Sequence, residues 1–143
     1  MKPYQNILVG IDFSAMSEIA IQRVLALASQ AKVSLLHVVE HFPEDIPTDQ
    51  ISPENVDPAK FIYNQAQQRL SAMAESQHAE GAELKVVLST GSARAAIVDE
   101  AERENVDLIV VAANGGKGMA GLLGSTAIGV SQSAACDVLV VRG

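Results

Sequence analysis

The chain has 143 residues, 48% of them hydrophobic and 19% charged, a size and mixture that suit one soluble globular domain spanning 1–143 and argue against disorder. Its formal net charge of −7 argues against a nucleic-acid backbone or an anionic membrane as the main partner, so a bound anion needs local backbone donors. The lone Cys136 excludes an internal disulfide, no apolar run nears the ~18 residues of a membrane span, and the expectation is a cytoplasmic chain without a signal peptide.

Taken in order, strand and helix signals alternate. The segment from Asn6 to Ile11 is a nearly continuous apolar run, as in a strand buried on both faces. Asp12, Phe13 and Ser14 end it, and Ser14 can cap a helix whose Ala20, Val24, Leu27 and Ala31 recur at helical spacing beside Ile21, Leu25 and Ala28. A second buried strand runs from Val33 to Val39, rich in β-branched residues. Between Glu40 and Asp57 lies a long acidic loop with Pro43, Pro47 and Pro53 and no lysine or arginine, expected to be solvated.

Helical spacing returns from Pro58 to about Glu80, with Ile62, Ala66, Leu70 and Met73 on one face and Gly81 as the expected C-cap. The third strand covers Leu84 to Leu88, and Lys85 marks it as an edge strand, where charge discourages stray pairing. Ser92 caps a third helix reaching about Glu104, with Ala93, Ile97 and Ala101 inward and Asp99, Glu100, Glu102 and Arg103 expected in solvent. The fourth strand, Asp107 to Ala112, runs into a glycine-rich segment, then a helix from about Ser125 to Ala134 for which Ser125 can act as N-cap. The fifth strand, Asp137 to Arg142, closes the chain.

Apolar strands separated by helices predict an α/β fold: a doubly wound, five-stranded parallel sheet of order 3-2-1-4-5 with helices on both faces. Ligands in such sheets bind at the carboxyl ends of the strands flanking the reversal of winding, here Asp12 after the first strand and the glycine segment after the fourth. Gly116-Lys-Gly-Met-Ala-Gly121 matches the dinucleotide fingerprint by chance, because it follows the wrong strand and no acidic residue ends the strand after it. Lys117 is followed by Gly118 rather than Ser or Thr, so this is not a P-loop. His37, His41 and His78 form no evident ligand set, Cys136 has no local base, and no catalytic residue stands out.

The residues Ile7-Leu-Val-Gly-Ile-Asp-Phe-Ser14, Leu35-Leu-His-Val-Val39, Gly91 to Ile97, Asp107-Leu-Ile-Val-Val111, Gly124-Ser125 and Cys136-Asp-Val-Leu-Val-Val141, in this order and spacing, resemble the universal stress protein (UspA-like) family over essentially the whole chain. The nucleotide-binding branch of that family carries G-x2-G-x9-G-[ST] after the fourth strand. This sequence departs from it twice: Ala112 replaces the first glycine, and eight residues separate Gly115 from Gly124.

The resemblance implies an adenine nucleotide, ATP or AMP, with or without Mg, in a small stress-response protein acting as a regulatory dimer; as no residue stands out to orient an attacking water, at most a slow ATPase activity is expected. Asp12 would meet the ribose or, through the bound nucleotide, a metal. The main chain at Val38 and Val39 would contact adenine, and Gly115, Gly124, Ser125 and Thr126 would take the phosphates, with Ile11, Ala112 and Asn114 completing the set. Asp12 also reads as a turn residue accepting nearby N–H groups. A homodimer is expected through the edge strand at Val138 to Val141, with little chain left to shield it. Two other readings stay open: a dimeric interaction module of the same fold that binds no nucleotide, and an enzyme that uses ATP for adenylation.

Overall fold

The computed structural model describes residues 3–28, 30–43, 57–114 and 123–142. The strands are β1 (Asn6–Ile11), β2 (Lys32–Val39), β3 (Glu83–Leu88), β4 (Leu108–Ala112) and β5 (Asp137–Val141). The helices are α1 (Ala15–Leu27), α2 (Pro58–Ser76), α3 (Ala93–Arg103) and α4 (Ser125–Ser133). The strands pair in parallel in the order β3-β2-β1-β4-β5, the order expected from the alternating pattern. No described helix is long and apolar enough to cross a membrane.

Side-chain alternation along each buried strand builds two cores. Ile7, Val9 and Ile11 of β1, with Leu108 and Val110 of β4, meet Ile21 and Val24 of α1 and Leu70 and Met73 of α2 on one face. Leu8 of β1, Leu36 and Val38 of β2, and Ile109 and Val111 of β4 meet Ile97 of α3 and Ala127 and Val130 of α4 on the other. A strand covered on both faces needs apolar residues at every position, which is why these segments read as runs rather than as alternation.

Three expectations are corrected. Helix α2 stops at Ser76, short of Gly81, because His78 takes the left-handed conformation (φ 58°). The Ala79 N–H then bonds to the Ala74 carbonyl and the His78 N–H to the Glu75 carbonyl, a Schellman closure that glycine more often supplies. Gly81, with φ 90°, turns the chain into β3 instead. Helix α3 closes the same way on Asn105 (φ 55°), with the Val106 N–H on the Ala101 carbonyl.

Leu27, expected inward, is 66% exposed, since the last turn of α1 overhangs the sheet beside β5. Glu100, expected in solvent, is only 5% exposed. Lys85 of the edge strand reaches it at 2.9 Å, Arg103 pairs with it from the next turn, and Glu104 meets Lys85 at 3.3 Å. Burial alone would lower the Lys85 ammonium, but hydrogen bonds from it to Glu100 and Glu104 raise it above the ordinary lysine value.

Of the acidic segment expected between Glu40 and Asp57, Glu40 to Pro43 and Asp57 are described, and residues 44–56 lie outside the described set. Its start is tied down: the His41 N–H bonds to the Gly91 carbonyl and the Phe42 N–H to the Ser89 carbonyl. Its end, Asp57, caps α2 by accepting the Ala59 N–H at 3.0 Å, with Pro58 next.

Candidate functional site

β1 and β4 lie side by side, yet the chain leaves them toward opposite faces, to α1 from β1 and to α4 from β4. A cleft of about 560 Å³ opens where they part, at the carboxyl ends of the strands. Its floor is Gly10, Leu36, Val38 and Val111, and its walls include Ala93 and Ile97 of α3 and the first turn of α4. Gly10 is tightly seated, since a Cβ there would lie 3.3 Å from both Ile97 Cδ1 and Val111 Cγ1.

Asp12 stands at the rim and does two local jobs. Its Oδ1 accepts the Ser14 N–H at 3.0 Å, the Ser14 hydroxyl at 2.5 Å and the Ser17 hydroxyl at 2.6 Å, while Ser17 Oγ accepts the Asp12 N–H at 3.0 Å. Ser14 Oγ in turn accepts the Ser17 N–H, capping α1. The turn role of Asp12 is therefore realised on Oδ1, which leaves Oδ2 outside this network. Burial acts to raise its carboxyl, but the hydrogen bonds from Ser14 and Ser17 outweigh that and hold it below the usual carboxylate value.

The opposite wall is the start of α4. Its N-cap is Gly124 rather than Ser125, and no side chain caps it, so Ser125, Thr126 and Ala127 bring backbone donors to the cleft. Gly124 has an ordinary extended backbone (φ −72°), so it is not glycine for conformational reasons. Its N–H bonds to the Ala113 carbonyl at 2.6 Å, and the Ala113 N–H to the Val141 carbonyl at 2.8 Å. Both ends of the glycine-rich segment are thereby fixed to the sheet.

Ile11, Asp12, Val38, Ala112, Asn114, Gly124, Ser125 and Thr126 all line this cleft. Val39 does not: its side chain packs into the core on the α1 and α2 side, and its carbonyl accepts the Ser89 N–H at 2.9 Å. Gly115 lies outside the described residues, as do Gly116 to Gly121. Among the described residues, no three His, Cys, Asp or Glu side chains gather as a metal site.

The cleft also holds residues absent from the expected set, including His37, Glu40, Ala93 and Ile97. The helical spacing that turned Ala93 and Ile97 inward was the available signal for those two. His37 carried no such signal of its own, although its neighbour Val38 was expected here; the register of β2 on β1 sets it opposite Ile11. Phe13 sits in the left-handed region (φ 63°), its ring centroid 4.3 Å from that of His37 and 4.1 Å from the guanidinium carbon of Arg69 on α2. His37 Nδ1–H donates to the Ile11 carbonyl at 2.7 Å, fixing the ring beside the end of β1.

Known proteins are similar to this chain in sequence and fold. A sequence model of the Universal stress protein family matches residues 3–142. Universal stress protein A homolog 1 of Coxiella burnetii is 34% identical over 140 residues, which cover 96% of each chain. The structure of universal stress protein UspA from Lactobacillus plantarum matches with a TM-score of 0.69 at 30% identity, over 99% of this chain and 100% of that one. A universal stress protein solved in complex with cAMP matches with a TM-score of 0.66 at 29% identity, over 99% of this chain and 98% of that one.

Proposed function

Because the chain belongs to the universal stress protein family, we propose that it is a regulatory protein whose cleft binds an adenine nucleotide, ATP or AMP, rather than an enzyme. The observation that carries this reading is the uncapped first turn of α4 facing Asp12 across a cavity large enough for a nucleotide. A similar protein was solved with cAMP, which supports an adenine ligand.

In this reading the ribose hydroxyls meet Asp12 Oδ2, and Val38 lies along the base. The N–H groups of Ser125 and Thr126 and the Ser125 hydroxyl take phosphate oxygens. Ala112 costs little at its place, since it is the last residue of β4, paired with Val141 in regular strand geometry where a Cβ is accommodated. If a magnesium ion arrives with the phosphates, it would take Asp12 as its protein ligand in place of the ribose. Nothing in this reading assigns a residue to orient an attacking water, and any hydrolysis is expected to be slow. The copies pair through the outer edge of β5, whose Val138, Leu139 and Val140 are half-buried in the single chain.

The departures at Ala112 and in the loop length favour one competing reading, a dimer of the same fold that has lost nucleotide and takes a protein partner. Heat-denaturation scans with ATP, AMP and NAD separate the two. A nucleotide at 100 times its dissociation constant adds about 2.7 kcal/mol to native stability. The proposal expects a rise in Tm with ATP or AMP, and no shift with any adenine nucleotide sinks it.

A further inference from the structure

An adenine nucleotide brings several negative charges into this cleft, yet the formally charged residues among its described lining, Asp12 and Glu40, are both acidic. The start of α4 contributes the equivalent of about half a positive charge. No lysine or arginine belongs to the described lining. Besides the backbone of α4, a side chain rooted just outside that lining can supply a full positive charge.

Gly129 points to the source. A glycine inside a helix is disfavoured relative to alanine, and Gly129 shows no positive φ that would require it. What it provides is room. A Cβ at Gly129 would lie 1.9 Å from Arg94 Cδ, 2.7 Å from Cγ and 3.1 Å from Nε, so the stem of Arg94 lies flat in the place of the missing side chain. The three nearest atoms all belong to that one side chain rather than to the backbone of α3, so the gap seats Arg94 rather than drawing the helices together.

The seat is close to the phosphate end of the cleft. Arg94 follows Ala93, which lines the cleft, in the first turn of α3. Ser125 and Gly129 are four residues apart on one face of α4, about 6 Å along the axis, and the spot a helical residue covers lies over the turn before it. The stem of Arg94 therefore lies against α4 one turn from Ser125. Among the described residues no acid forms an ion pair with its guanidinium, which leaves its charge available to an anion.

We propose that Arg94, seated on Gly129, supplies the positive charge that binds the phosphates of the nucleotide and so sets the preference for nucleotides over the free nucleoside. The inference rests on the nucleotide reading of the cleft. A planar guanidinium on flexible torsions can reach over the first turn of α4 and give two parallel hydrogen bonds to one phosphate, adding to the backbone donors of Ser125 and Thr126.

The test is calorimetric titration of ATP and of adenosine into the parent, Arg94→Gln, Arg94→Lys and Gly129→Ala, with thermal melts to confirm folding. Arg94→Gln should weaken ATP by about tenfold or more while leaving adenosine within about twofold, with Arg94→Lys between. Gly129→Ala lifts the arginine from its seat and should also weaken ATP selectively, adding nothing once Arg94 is glutamine. Unchanged ATP affinity in Arg94→Gln, or equal losses for ATP and adenosine, overturns the role of Arg94 and leaves the cleft reading intact. A parent that binds neither ligand overturns both.

Discussion

Asp12 Oδ1 closes the turn into α1 through three hydrogen bonds from Ser14 and Ser17, so removing it reaches stability as well as binding. Asp12→Ala should cost about 2 kcal/mol in chemical denaturation, the loss of the acceptor for the Ser14 N–H and the Ser14 and Ser17 hydroxyls. Asp12→Asn keeps an acceptor, should cost less than about 1 kcal/mol, and should still weaken ATP binding. The depressed carboxyl gives the sign of a pH effect. Its contribution is fully present above the unfolded value near 3.9 and is lost as pH falls through the lower folded value. Stability of the parent should thus fall more steeply than that of Asp12→Asn as the pH drops below about 4.

Gly124 separates fold from site at the same scale. A Cβ there meets Asn114 Cα at 3.4 Å and the Ala113 carbonyl at 3.5 Å, ordinary contact at an ordinary φ, so Gly124→Ala should fold as the parent does. Gly124→Val adds branched methyls at the mouth of the uncapped helix and should abolish phosphate-dependent binding while the protein still melts cooperatively. Retained ATP affinity in the valine variant would place the phosphates elsewhere. Asp12 was legible in the sequence because it follows a buried strand at the reversal of winding, and Gly124 because it stands at a helix start after the glycine-rich segment and matches the family motif. His37 was not, since it reaches the cleft through the register that sets it opposite Ile11, which an apolar run does not reveal.

At the scale of elements, the strands were readable to within a residue because burial on both faces leaves each an unbroken apolar run. Helix ends were less so. His78 and Asn105 both close helices in the left-handed conformation, and only Asn105 is a residue that commonly does so. Glu100 was hidden for a related reason: an acid on a helix looks solvated until a lysine from the edge strand β3 is found beneath it. Glu100→Ala leaves Lys85 half-satisfied by Glu83 and Glu104. It should cost about 2 kcal/mol in urea denaturation, below the ~3–5 typical of breaking a fully buried pair. Replacing both Lys85 and Glu100 with Met should recover most of that loss, and a double variant as unstable as the single one would show that the pair is not the cause.

For the whole molecule, the order β3-β2-β1-β4-β5 does two things at once. It puts the reversal of winding between β1 and β4, where the cleft forms, and it leaves β5 as an edge with a half-buried apolar row. If copies associate there, Val140→Lys should shift the protein toward monomer in sedimentation velocity, because an edge charge opposes strand pairing. An unchanged sedimentation coefficient would move the interface elsewhere. The central claim, that the cleft between Asp12 and the start of α4 holds an adenine nucleotide, is tested most directly by mapping backbone amide shifts by NMR as AMP is added. The account predicts saturable shifts at Asp12, Val38, Asn114, Ser125 and Thr126, with β3 and the last turn of α2 unmoved. Shifts absent from those five residues, or confined to another face of the sheet, would contradict it.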